Sequence, residues 1–126
     1  MEFIKLNVNP KEWKREGDCV VRAIARATCK EWLEVYDDLY RIGRKKCRMM
    51  NSQKTYEAYL EEQGYTKQKM PRKASGLRYT IGEYVEEHPD FTGIISVAQH
   101  LTYVLNGVLI DTWDCSRKYI GNYWTK

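Results

Sequence analysis

The pair Asn106-Gly107 stands between two apolar runs, LTYVL (101–105) and VLID (108–111), and restricts the fold more tightly than any other feature of the chain. Asn-Gly between apolar runs is the strongest short-range signal for a two-residue β-hairpin, because both residues tolerate the positive φ such a loop needs. A two-residue loop also sets the register. Residue 105 then pairs with 108, 104 with 109, 102 with 111 and 100 with 113. Side chains alternate between the faces of a strand. His100, Thr102 and Val104 therefore share a face with Leu109, Asp111 and Trp113. His100 lies diagonal to Asp111, within reach of long side chains, and opposite Trp113.

The rest of the chain supplies what this hairpin packs against. FIKLNV (3–8) alternates apolar and polar residues and reads as an edge strand or extended arm. Asp18 precedes a stripe of Val20, Val21, Ile24, Ala25 and Ala27 at helical spacing, which predicts a buried central helix with Asp18 as its side-chain cap. Thr28 and Glu31 match a capping box and predict a second helix through Trp32, Val35 and Leu39 that ends at Gly43, followed by a basic loop. Ser52 caps a third helix that stops at Gly64, and 65–78 reads as a second basic loop. Thr80 and Glu83 form another capping box, opening a short fourth helix that ends before Pro89. GIISVA (93–98) is a continuous apolar run typical of a buried strand, and the tail with Tyr119, Tyr123 and Trp124 adds a strand or an aromatic cover. Helices first and an antiparallel sheet second define an α+β class, and 126 residues leave room for one domain, 1–126.

Charge and cysteine usage narrow the functional classes. Eleven of the 21 Lys and Arg residues fall in two acid-free stretches within 41–54 and 66–78, leaving ten basic against seventeen acidic residues elsewhere. These stretches suit an acidic protein partner or nucleic acid, with Tyr56, Tyr59, Tyr65 and Tyr79 as stacking groups in the latter case. The four cysteines (Cys19, Cys29, Cys47 and Cys115) form no CxxC pair, which argues against a paired-cysteine zinc site and against a disulfide framework. No metal and no cofactor is expected. No run reaches the roughly 18 apolar residues of a membrane span, and the N-terminal segment has no signal-peptide character, so a cytoplasmic chain with reduced thiols is expected.

An imidazole beside a carboxylate and under an indole has the environment of a catalytic base. The carboxylate selects the tautomer and steadies the imidazolium, and the indole keeps water off that bond. Cys19 falls in the first turn of the predicted central helix, where free amides and the helix dipole favour a thiolate. Cys29 and Cys47 read as small buried hydrophobes, and Cys115, after Asp111-Thr112-Trp113-Asp114, lies near the same end of the hairpin without an assigned role.

Cys at the start of a central helix, His at the start of a later strand and Asp on the next strand is an order that resembles the papain-like cysteine peptidases. Asp111-Thr112-Trp113 is similar to the Asn-Ser-Trp of papain itself, and the tight His100…Asp111 hairpin resembles compact bacterial, viral or phage-type members of the superfamily. The resemblance covers residues 17–30 and 93–114. It implies a papain-like fold, with Cys19 as nucleophile, His100 as base, Asp111 as the group that orients it and Trp113 as the shield of their bond. The family's oxyanion Gln has no counterpart in Trp13-Lys14-Arg15-Glu16-Gly17-Asp18, and Asn9, then Asn7, is the substitute within reach. The function implied is a thiol hydrolase of peptide or isopeptide bonds acting on a protein or peptide substrate. Two other readings remain open: an idle papain-like fold that binds or inhibits a partner protein, and a nucleic-acid-binding module built on the basic stretches.

Overall fold

In a computed structural model that describes all 126 residues, the Asn106-Gly107 turn closes with φ of 47° and 78°. It joins β4 (His100–Leu105) to β5 (Val108–Asp111) in the expected register, Leu105 with Val108, Val104 with Leu109 and Tyr103 with Ile110. The Gly107 amide donates to the Phe91 carbonyl (2.9 Å), and a Cβ on Gly107 would run into the Pro89 carbonyl. Gly107→Ala therefore combines a strained φ with a backbone clash. It is expected to lower stability by roughly 1–3 kcal/mol in denaturant unfolding.

The other elements are β1 (Glu2–Lys5), α1 (Cys19–Thr28), α2 (Trp32–Lys46), α3 (Gln53–Glu62), β2 (Thr66–Gln68), α4 (Ile81–Glu87), β3 (Gly93–Val97) and β6 (Tyr123–Thr125). The class is α+β. The sheet is not purely antiparallel, as the order of elements had suggested. Its six strands run β1-β5-β4-β3-β6-β2, and β1 lies parallel to β5 at one edge. The alternating N-terminal segment is thus an edge strand, and the Leu6 amide extends it by bonding the Asp111 carbonyl (2.8 Å). At the other edge β2 pairs with β6, so the stretch 65–78 begins with a strand instead of being loop throughout.

Two helix boundaries also differ from expectation. Thr28 opens no capping box. Its hydroxyl donates to the Ile24 carbonyl (2.7 Å) within α1, and Cys29, with φ 58°, ends that helix. An N-cap needs an extended backbone, and Glu31 has it (ψ 148°). Gly43 does not end α2, which continues to Lys46 and stops at left-handed Cys47. A Cβ on Gly43 would sit 2.8 Å from the Arg48 carbonyl, so the glycine lets the chain fold back over the helix end. Arg44, Lys45 and Lys46 form the last turn, where cations complement the helix dipole. The Thr80/Glu83 capping box is present in full.

α1 buries Val20, Val21, Ala23, Ile24 and Ala25. Its stripe packs with Leu39, Tyr59 and Leu60 of α2 and α3 and with Ile94, Leu101, Tyr103 and Trp124 of the sheet. The alternate residues Ile95, Val97, Val104 and Leu109 form a second core with Ile81, Val85, Cys115 and Ile120. The sheet is therefore covered on both faces. No helix is long and apolar enough to cross a membrane.

Candidate active site

Cys19 is the first residue of α1, and its thiol is half-buried at the mouth of a cleft. The β3–β4 connection turns at Ala98-Gln99, with Gln99 at φ 56°, and sets His100 as the first residue of β4 on the same cleft. That turn carries no Gly or Asn, which hid it from the sequence. The cleft encloses about 340 Å3 and is also lined by Asn51, Gln53, Tyr56 and Gln99, with no charged side chain other than the imidazole.

The imidazole is held from behind. Nε2 lies 2.7 Å from Asp111 Oδ2, which also accepts from the Thr102 hydroxyl at 2.6 Å. The Thr112 amide donates to Oδ1 at 2.6 Å. With Nε2 engaged, Nδ1 is the ring nitrogen available to Cys19. The Trp113 ring sits 4.9 Å from the imidazole, tilted by 49°, and its other side is exposed. Thr102, which shares a face with His100 and Asp111, completes the carboxylate's shell.

These contacts shift the titrations in a consistent direction. Burial raises the Cys19 pKa, but hydrogen bonding to His100 and the Leu101 amide, with the nearby charges of His100 and Arg22, brings it below the ordinary thiol value. Burial works against the charged form of His100 too. Hydrogen bonds to Asp111, Cys115 and Cys19 and the charge of Asp111 overcome this and raise its pKa to about 11. Asp111 is opposed by burial and held low by its bonds to His100 and Thr102. Both shifts favour the same charge state, a thiolate beside an imidazolium.

Asp18 occupies the N-cap position of α1 but makes no side-chain cap. Its buried carboxylate accepts instead from Asn9 Nδ2 (2.9 Å), Trp32 Nε1 (2.9 Å) and the Arg22 guanidinium. Two neutral donors and a cation outcompete the helix amides, and they cancel the charge beside Cys19. Arg22 also reaches to 3.8 Å from Asp111 Oδ1, linking the helix start to the carboxylate that holds His100. Removing this cation leaves the buried Asp18 carboxylate without a charged partner and takes one of two from Asp111, which keeps His100. Arg22→Met is expected to cost about 3–5 kcal/mol in chemical denaturation. Asp18→Asn on that background recovers part of the loss.

Asn9 is not placed as an oxyanion donor. Its amide is committed to Asp18, its Oδ1 accepts from the Lys11 amide (2.8 Å), and it does not line the cleft. Asn7 is likewise engaged, with the Asn9 amide and the Trp13 carbonyl. Both residues build the turns that lead into α1, a role that Asn-x-Asn-Pro permits. Asn51, Gln53 and Gln99, which carry no motif in the sequence, are the amide-bearing residues that line the cleft with Cys19.

The basic stretches are partly consumed by structure. Lys67 pairs with Glu57, Lys73 with Glu83 and Arg41 with Glu62, while Arg78 covers the Tyr119 ring. Tyr56 and Tyr59 are buried in the core and present no stacking face. Cys29 and Cys47 are exposed at helix ends, not buried, whereas Cys115 is buried with its sulfur 3.8 Å from Asp111 Oδ2. In comparisons with known proteins, no family model, no curated protein and no solved structure matches the chain.

Proposed function

We propose that this chain is a papain-like thiol hydrolase that cleaves peptide or isopeptide bonds through Cys19, His100 and Asp111. The observation that carries the reading is the imidazole fixed by Asp111 at 2.7 Å, behind a thiol of lowered pKa at a helix N-terminus. In the proposed cycle, Cys19 Sγ attacks the substrate carbonyl carbon and the C=O pair moves onto oxygen. The amides at the start of α1 and one of Asn51, Gln53 or Gln99 stabilise that oxyanion. His100 donates its Nδ1 proton to the departing amine as the C–N bond breaks, leaving a thioester on Cys19. Neutral His100 then takes a proton from water, hydroxide adds to the thioester, and collapse releases the acid and the thiolate. Asp111 remains ionised throughout, holding Nε2–H and stabilising each imidazolium. A cleft with amide but no charged walls suits an uncharged backbone segment over an ionic side chain.

Trapping the intermediate tests this reading. An activated acyl donor, such as a peptide p-nitrophenyl ester, is expected to leave one acyl group on Cys19, visible by mass spectrometry and lost as the acid on standing. Acylation of lysines alone, with Cys19 unmodified, would defeat the proposal.

A further inference from the structure

We propose that His100, Asp111 and Cys115 together form a Zn2+ site on the side of the imidazole away from Cys19. Their donor atoms all lie within 4.8 Å of one another, with Nε2 to Oδ2 at 2.7 Å and Sγ to Oδ2 at 3.8 Å. A tetrahedral zinc with bonds of about 2.0–2.3 Å spaces its ligands roughly 3.3–3.7 Å apart. Opening the His100–Asp111 bond by roughly 0.6 Å brings that pair to this spacing, and the Sγ–Oδ2 pair is already close to it. The donor set is an imidazole, a carboxylate and a thiol. The thiol selects zinc over magnesium or calcium, which prefer oxygen. Cys115 and Asp111 are buried, and the His100 side chain is 8% exposed, so the ion sits out of bulk water with one position left for a water molecule. Arg22 approaches the other carboxylate oxygen, Oδ1, and is anchored by Asp18; on Oδ2 the Thr102 hydroxyl takes one lone pair, and the metal takes the one now bonded to His100. No CxxC turn is needed, because a hairpin and its return loop bring the ligands together.

Binding is proton-balanced. Zn2+ replaces the Nε2 proton of the imidazolium and the Cys115 thiol proton, and two protons pass to solvent. The ring then keeps a proton only on Nδ1 and can no longer alternate between imidazole and imidazolium. If the hydrolase reading holds, zinc at this site therefore halts turnover reversibly.

The site is tested on full-length protein carrying Cys29→Ser and Cys47→Ser, titrated with Zn2+ against a chromogenic chelator. One equivalent is expected to bind, with the same affinity within a few-fold when Cys19→Ala is added. Cys115→Ser is expected to weaken binding by about 100-fold or more. Binding lost with Cys19→Ala but kept with Cys115→Ser would place the metal at the front of the imidazole and overturn the proposal, as would no stoichiometric binding. Should Cys115→Ser fail to fold, Co2+ bound to the variant lacking Cys19, Cys29 and Cys47 decides the matter. A thiolate-to-cobalt charge-transfer band is expected from Cys115, the sole remaining thiol, and its absence refutes the site. Because the Cys19→Ala protein binds metal without turning over, this result is independent of whether the chain is a hydrolase.

Discussion

Cys19→Ala is expected to abolish turnover, by at least about 10^4-fold, while leaving the fold intact. The two halves of this expectation rest on different observations. Of the cleft's nucleophiles, Ser96 donates its hydroxyl to the Asn122 carbonyl, so nothing substitutes for the Cys19 thiol once it is removed. Cys19 contributes little to the core: it is half-buried and only packs against the rim of the α1 cluster. Its loss is expected to change stability by no more than about 1 kcal/mol. Near-ultraviolet circular dichroism, dominated here by ten tyrosines and four tryptophans, checks the fold on the same sample. Function retained in Cys19→Ala would mean that the triad is idle and that the protein acts by binding.

His100→Ala is expected to move the pH midpoint of Cys19 alkylation upward, beyond that of an ordinary thiol. The sign follows from the opposing influences on Cys19. Burial pushes its pKa up, and hydrogen bonding and charge from His100 are the main forces pulling it down. Removing His100 deletes most of the pull and leaves the Leu101 amide and Arg22 alone against the burial. In the wild-type chain the thiolate persists to lower pH than that of an ordinary cysteine, so alkylation near neutral pH is the faster. In the variant the thiolate appears only well into the alkaline range. Once the midpoint lies above the working pH, each further unit costs tenfold in thiolate fraction, and a loss of about tenfold or more in the neutral alkylation rate is expected. Asp111→Ala moves the midpoint the same way but less far, because it frees the imidazole from its partner without removing it. An unchanged profile in His100→Ala would show that the two side chains are not coupled.

The parts of the site readable from sequence are those set by short-range rules. Asn106-Gly107 fixes a register, and the register alone places His100 beside Asp111 and under Trp113. The start of α1 at Cys19 follows from a stripe of apolar residues at helical spacing. What sequence could not supply depends on partners distant along the chain. Asp18 looks like a helix cap by local rules, yet its side chain is claimed by Asn9, nine residues before it, and Trp32, fourteen residues after it. The same bonds withdraw Asn9 from the cleft. The parallel seating of β1 beside β5 reflects a long-range pairing that alternation does not reveal. Thr28 and Glu31 carry the residue types of a capping box, but the left-handed turn at Cys29 joins two helices between them. Local pattern identified the residue types there, and tertiary packing decided how they are used.

The central claim is that Cys19 is activated by His100, and competitive alkylation of the four cysteines tests it most directly. Limiting iodoacetamide is applied to the native chain near neutral pH, and the modified positions are mapped by mass spectrometry. Exposure alone favours Cys29 and Cys47, which are open to solvent, over half-buried Cys19, with Cys115 protected. The thiolate–imidazolium pair predicts the opposite order, with Cys19 modified first and by a wide margin. Modification of Cys29 and Cys47 at rates equal to or above that of Cys19 would contradict the account.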